Sequence, residues 1–223
     1  LAQVVQPGAK LIYGSFASNV DMMSGAPALG TPEYTKAAFA SGQIARKLGM
    51  PLRSSNTTSS NCVDAQAAYE SEMSLWGSVM GGANLVYHAG GWLESGLTAS
   101  FEKLIVDAEM LQMMAEVLRP IEVNADQLAL EAIAGVEPGG HHFGTAHTLA
   151  HYEHAFYAPM VSTRQNFESW QESGSLDTAR RANAVWKRML AEYQRPPMDP
   201  AVEEALADYV ARRKQEIARS AQA

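Results

Sequence analysis

Aromatic rings, hydroxyls and imidazoles collect just after three short apolar runs of this 223-residue chain. Tyr13, Ser15 and Phe16 close the run 10–16 (KLIYGSF). Arg53, Ser54 and Asn56 end the run 50–54 and lead into a Ser/Thr-rich stretch that reaches Asp64. Tyr87 and His88 close the run 84–89, and Trp92 and Glu94 stand in the glycine-flanked loop behind it. The segment 139–143 (GGHHF) adds His141 and His142 beside two glycines, where backbone can approach a ligand closely. Ring faces attract cations, so Tyr13, Phe16, Tyr87 and Trp92 with a carboxylate nearby suit a methylated ammonium. Plain core packing at strand ends is the other reading of Tyr13, Phe16 and Tyr87.

Other chemistry receives less support. His147, His151 and His154 fall on one face of a predicted helix, and a spacing of four lets two imidazoles chelate a metal. The HExxH pattern fails because residue 148 is Thr, and the sequence specifies no third ligand. Structural or interface histidines are expected there, with no metal. Cys62 precedes a helix N-terminus, which lowers a thiol's pKa, but a bystander thiol is the simpler expectation. No GxGxxG, GxxxxGK[ST] or GxSxG pattern is present, so nucleotide and hydrolase sites gain nothing.

The elements that must position these residues alternate. The apolar runs begin at residues 10, 50 and 84, each entered through Gly or Pro, at the spacing of a βα unit with its loops. Helices are predicted between and after them at 32–48, 64–80 and 100–118, with Thr31, Asp64 and Ser100 at or near their caps. Leu104, Ala108, Leu111, Ala115 and Leu118 lie on one face of the third, the spacing that suits packing on a sheet. Right-handed repetition of such units gives a parallel sheet covered by helices. Both a doubly wound sheet and a (β/α) barrel fit. A barrel takes eight strands over roughly 250 residues, so the others would lie upstream. In either architecture functional groups gather at the C-terminal ends of the strands. After Pro120 the pattern changes to helices at 126–134, 145–157, 177–193 and 200–219, and residues 166–223 read as a helical extension.

Composition excludes several classes. The net charge is −7, with no basic stripe for nucleic acid. The charges of the last helix alternate in sign, as on a solvated face. No apolar run reaches the roughly 18 to 20 residues of a membrane span. A single cysteine rules out an intramolecular disulfide and a Cys-based zinc cage, which suits a reducing, cytoplasmic setting. The start, LAQVVQPG, has neither the basic nor the apolar region of a signal peptide and opens almost directly onto a buried-looking strand, so the chain reads as part of something longer. Part of a barrel leaves a sheet edge with unpaired backbone groups. A homo-oligomer, or a longer ordered chain, is expected to cover it.

Five runs in order, IYGSF (12–16), DAQAAYE (64–70), GANLVY (82–87), LESGLT with SFEKL (93–98 and 100–104) and GGHHFG (139–144), resemble the C-terminal half of the trimethylamine methyltransferase family. The similarity spans residues 8 to 165. It implies α/β architecture as the C-terminal part of a TIM-type (β/α) barrel over 1–165, with the helical extension 166–223 behind it. It also implies methyl transfer from a methylated amine to the cobalt of a separate corrinoid protein. One branch of the family uses pyrrolysine, which is absent from this sequence, so the resemblance implies a quaternary amine such as glycine betaine. The chain itself carries no Asp-x-His-x-x-Gly corrinoid motif, and the cofactor is expected on the partner. In this reading Tyr13, Phe16, Tyr87 and Trp92 cage the ammonium. His88, His142 and Asn56 hold a carboxylate, and Glu94 lines the loop, with His88 and Glu94 closest to the reaction. The alternative function is a non-catalytic binding protein for methylated amines on the same barrel.

Overall fold

The computed structural model describes residues 1–14 and 16–220, so Ser15 lies outside the described residues. The chain opens with one helical turn, α1 (Ala2–Val5), strand β1 (Tyr13–Gly14) and a small hairpin of β2 (Asn19–Val20) and β3 (Pro27–Ala28). Helix α2 (Pro32–Lys47), strand β4 (Leu52–Ser55), helix α3 (Ala65–Met80) and strand β5 (Leu85–Tyr87) follow. A second hairpin, β6 (Trp92–Leu93) and β7 (Thr98–Ala99), leads into α4 (Phe101–Val117). Short helices α5 (Ala125–Leu128), α6 (Leu130–Ala134), α7 (Ala146–His151) and α8 (Phe167–Glu172) precede α9 (Thr178–Glu192) and α10 (Pro200–Ser220).

The chain falls into two compact units, Leu1–Lys187 and the remainder from Arg188 onward. In the first, β1, β4 and β5 form a parallel sheet whose spatial order is their sequence order. Tyr13 pairs with Leu52, Gly14 with Arg53, and Arg53, Ser54 and Ser55 with Leu85, Val86 and Tyr87. Side chains alternate across a strand. Leu52 and Ser54 are buried towards the helices, where Ser78 of α3 donates to Ser54 Oγ at 2.8 Å. Gly14, Arg53, Ser55 and Tyr87 share the other face. Apart from buried Ser55 that face is open, with Leu85 and Tyr87 at 41% and 49% exposure. The expectation of a buried first strand is therefore not met, since both residues of β1 are exposed. Parallel sheets are ordinarily covered on both faces, and here helices cover only one.

The helices start where the caps put them. Thr31, Asp64 and Ser100 each accept the N–H of the third residue beyond, and Pro32 occupies the first turn of α2. Helices α2 and α3 meet through small residues. A Cβ on Gly42 would come within 1.9 Å of the Gly81 carbonyl, and Arg46 Nη1 donates to that same oxygen at 2.6 Å.

Helix α4 corrects the sequence reading. The expected sheet-facing row is largely open, with Leu104 at 46% and Leu118 at 55% exposure. Lys103, Ile105, Asp107, Glu109 and Met114 are buried instead. The helix turns this way because its charges find partners: Lys103 pairs with Asp107 at 2.5 Å. The Glu109 carboxylate accepts from the N–H groups of Met160, Val161 and Ser162 at 2.6, 2.7 and 3.2 Å. Val161 then shares a core with Ile105, Ala182 and Val185. Packing thus runs through residue 165 without a break, and the compact unit ends inside α9 at Lys187.

Other differences are local. Both hairpins and α8 went unforeseen. The helix predicted over 126–134 is broken at Ala129, whose φ is +50°. The one over 145–157 stops at His151, in a turn where its carbonyl accepts from the N–H groups of His154 and Ala155, so His154 leaves the shared face. In the second unit Arg195 pairs with Glu203 at 2.5 Å and α10 is exposed throughout. No helix of the described residues is long and apolar enough to cross a membrane.

Two predictions follow from this packing. Gly42→Ala gains helix propensity but must displace the Gly81 carbonyl, and we expect a net loss of about 1–3 kcal/mol in denaturant unfolding; an unchanged midpoint would contradict the close approach. Glu102 accepts from Asn183 Nδ2 and Trp186 Nε1, both at 2.7 Å, which pulls its pKa from 4.5 down to about 2. A depressed folded pKa stabilises above the unfolded value and loses that effect as pH falls through the folded one. The stability difference between wild type and Glu102→Gln should therefore shrink between about pH 4.5 and 2 in melts across that range.

Candidate functional site

The run Ser54 to Ser60 leaves the C-terminal end of β4 almost wholly buried. Buried polar groups need partners, and these groups find theirs in the neighbouring strand ends. Asn56 N–H donates to the Tyr87 carbonyl at 3.1 Å and Asn56 Nδ2 to the Ala89 carbonyl at 2.9 Å. Thr58 Oγ1 donates to the Trp92 carbonyl at 2.9 Å. The loop returns these bonds: Glu94 N–H reaches the Ser60 carbonyl and Ser95 N–H the Thr58 carbonyl, both at 2.8 Å. From below, the Glu70 carboxylate of α3 accepts from Ser59 and Ser60 N–H at 2.7 and 2.9 Å. The two loops behind β4 and β5 are thus laced into one surface.

A buried ion pair fixes the outer loop. Asp107 takes Lys103 Nζ on Oδ1 and the N–H of Gly91 on Oδ2 at 2.8 Å, while Lys103 also donates to Ser71 Oγ at 2.6 Å. Burial pulls the Lys103 ammonium below its ordinary pKa, and the Asp107 carboxylate opposes that shift. The glycine next to Trp92 is therefore held by a charge that has nowhere else to go.

His88 sits at the centre of the resulting surface. Its Nδ1 lies 3.0 Å from Ser55 Oγ, and Ser55's carbonyl accepts from Tyr34 OH at 3.0 Å. The ring is flanked by Tyr87 at 5.4 Å, Trp92 at 5.5 Å and 87°, and Phe16 at 6.0 Å. Phe16 in turn meets Tyr34 edge-on at 6.4 Å. Three of the five non-glycine residues with positive φ, among the described residues, are His88, Glu94 and Ser95. Such backbone is costly and gathers where surrounding structure imposes it, often at functional sites. Asn56 Oδ1 is buried and has no hydrogen-bond partner among the described residues.

The structure brings together Phe16, Asn56, Tyr87, His88 and Trp92 of the residues singled out by sequence. Tyr13 is in register with Leu52, on the helix-covered side of the sheet by alternation, and no ring contact joins it to the others among the described residues. Glu94 is exposed on the rim, where Thr98 Oγ1 donates to its Oε2 at 2.6 Å. His142 stands exposed in its own loop, where its carbonyl accepts from Thr145 and its ring makes no contact with the His88 group among the described residues. Sequence reasoning noted Arg53 without giving it a role. Its guanidinium lies 5.1 Å from the Tyr87 ring centre and packs against Gly14, where a Cβ would meet Nη2 at 3.0 Å. Register was the missing signal, since it puts Arg53, Ser55 and Tyr87 on one face. Cys62, expected as a bystander thiol, donates to Asp64 Oδ2 at 3.3 Å, which with that carboxylate's charge raises the thiol pKa, against the alternative of an activated thiol.

Comparison with known proteins places the chain in a family. The family described as trimethylamine methyltransferase (MTTB) matches residues 1–218. A glycine betaine methyltransferase of Desulfitobacterium hafniense (strain Y51) is 37% identical over 218 residues, 97% of this chain and 45% of that protein. The trimethylamine methyltransferase MttB2 of Methanosarcina mazei is 34% identical over 200 residues, 89% of this chain and 40% of its own length. A trimethylamine methyltransferase MttB of Desulfitobacterium hafniense (strain DSM 10664 / DCB-2) is 28% identical over 223 residues, 99% of this chain and 45% of its own. This chain spans somewhat less than half the length of the curated relatives it matches. Matched along nearly its whole length, the chain belongs to the trimethylamine methyltransferase family.

Proposed function

We propose that this chain forms the C-terminal part of a (β/α) barrel whose mouth binds a quaternary methylamine carrying a carboxylate, with glycine betaine as the model substrate. The observation that carries this reading is the ring group of Phe16, Tyr87 and Trp92 around His88, with the Arg53 guanidinium on the same sheet face. Three parallel strands in sequence order, covered by helices on one face, support a barrel in which further strands pair at the sheet edges and enclose the other face.

The roles divide by charge. Phe16, His88 and Trp92 offer ring faces to the ammonium. Arg53 already occupies a face of Tyr87, which suits that position to a carboxylate and not to a second cation. Asn56 Nδ2 holds the Ala89 carbonyl and so fixes the backbone that carries His88. The Ser55 hydroxyl fixes the His88 ring, and Glu94 shapes the rim with Thr98. His142 joins the site only by movement of its loop. A quaternary ammonium departs as a neutral amine, so no side chain has to donate a proton. Orientation and exclusion of water are what the site must supply.

The mouth offers ring faces, which seat a small cation. It fits a methyl donor bound here and a corrinoid carried by a separate protein; the corrinoid, when docked, supplies the nucleophile that takes the methyl group. That division also makes the open mouth the docking surface for the corrinoid protein.

The test is anaerobic incubation of the full-length protein with reduced corrinoid protein and a panel of amines, following corrinoid methylation by visible absorbance. Methylation is expected with glycine betaine. Trp92→Ala should lower kcat/KM roughly tenfold, the scale of a partly desolvated cation–ring contact. Arg53→Met should weaken glycine betaine far more than it weakens tetramethylammonium, which lacks the carboxylate. No transfer from any quaternary amine would overturn this reading. Calorimetric binding of glycine betaine without transfer would favour a binding protein instead.

A further inference from the structure

We propose that Asp126, His147 and His151 form a binding site for one divalent transition-metal ion that clamps α5 to α7, apart from the mouth. His147 and His151 stand one turn apart on α7, their rings 4.4 Å apart and 35° from parallel. Both Nε2 atoms turn to the same carboxylate. His151 Nε2 is 3.0 Å from Asp126 Oδ2, and His147 Nε2 is 4.0 Å from Asp126 Oδ1. One ligand atom from each residue falls within 4.8 Å of the others. Around a tetrahedral ion with bonds of about 2.1 Å, ligand atoms stand roughly 3.4 Å apart. The separations found here bracket that figure, so a small rotation of Asp126 completes the set. His147 Nε2 also donates to the Asp126 carbonyl at 2.9 Å, a bond that holds the imidazole against the α5 backbone and that the ion would replace.

The sequence showed the two imidazoles at chelating spacing but no third ligand. The structure supplies it from α5, 21 residues upstream of His147. The short length of α5 matters here. Its capped first turn, with Asn124 accepting from Gln127 N–H at 2.8 Å, presents Asp126, and the break at Ala129 then redirects the chain. Two nitrogens and one carboxylate oxygen suit Zn²⁺, Co²⁺ or Ni²⁺ and not the all-oxygen preference of Ca²⁺ or Mg²⁺. All three side chains reach solvent, at 30%, 33% and 61% exposure, so an ion can enter and complete its shell with water. Asp126 and His147 also line a cavity of about 820 Å³ that gives a fourth ligand room. Without an ion the same atoms form a hydrogen-bonded His–Asp–His group, and the test must separate the two.

Full-length protein stripped with a chelator is titrated with Co²⁺, read by its visible d–d absorption, and then with Zn²⁺ in competition. One Co²⁺ per chain is expected, displaced by Zn²⁺. Asp126→Asn and His151→Ala should each weaken uptake at least about 10- to 100-fold, and Zn²⁺ should raise the melting temperature of wild type but not of either variant. Asp126→Asn keeps a hydrogen-bonding side chain of the same shape, so its failure to bind is not a failure to fold. Absence of saturable cobalt absorption in wild type, or equal uptake by the His147→Ala/His151→Ala double variant, would overturn the proposal.

Discussion

The run of hydroxyl and amide residues behind β4 is buried, and it stays buried because nearly all of its polar groups are met by others. That pairing organises the site. Asn56 reaches across to the carbonyls at the end of β5, Thr58 to Trp92, and Ser59 and Ser60 to Glu70. Because a lost partner in such a place costs the desolvation of whatever remains, the loops cannot slide independently. The positions of His88 and Trp92 are consequences of this lacing, and the left-handed backbone at His88, Glu94 and Ser95 is what it imposes.

Asp107 extends the same logic one layer outwards. A buried carboxylate needs a cation and hydrogen-bond donors, and it finds them in Lys103 and the Gly91 amide. Breaking such a pair from one side is far more damaging than replacing both members. The loop bearing Trp92 is therefore pinned from both directions, by hydroxyls on the sheet side and by an ion pair on the helix side. A substrate meets a preformed surface, which reduces the ordering cost of binding.

Much of this was legible in the sequence, and for physical reasons. Thr31, Asp64 and Ser100 announced the starts of α2, α3 and α4 because unsatisfied N–H groups need an acceptor. Gly and Pro punctuation located all three parallel strands, although β1 proved to be two residues long. Helix α4 defeated the periodicity argument, which counts apolar residues and cannot see that Lys103 and Asp107, four apart, satisfy each other inside. Strand-end aromatics were recognised as candidates by type, but facing depends on register. Tyr13 and Tyr87 look equivalent in the sequence and lie on opposite sides of the sheet by alternation, whereas Arg53 gains significance only once it is seen over Tyr87. Short helices were the least legible, since α5 and α6 differ from one continuous helix only in the conformation of Ala129.

The most direct examination of a laced ring surface that seats a quaternary ammonium is a crystal structure of the full-length protein with glycine betaine bound. The ammonium should lie within about 6 Å of the ring centres of Phe16, His88 and Trp92, with its carboxylate towards Arg53. A ligand found away from these rings, or with its carboxylate turned from Arg53 towards solvent, would contradict it.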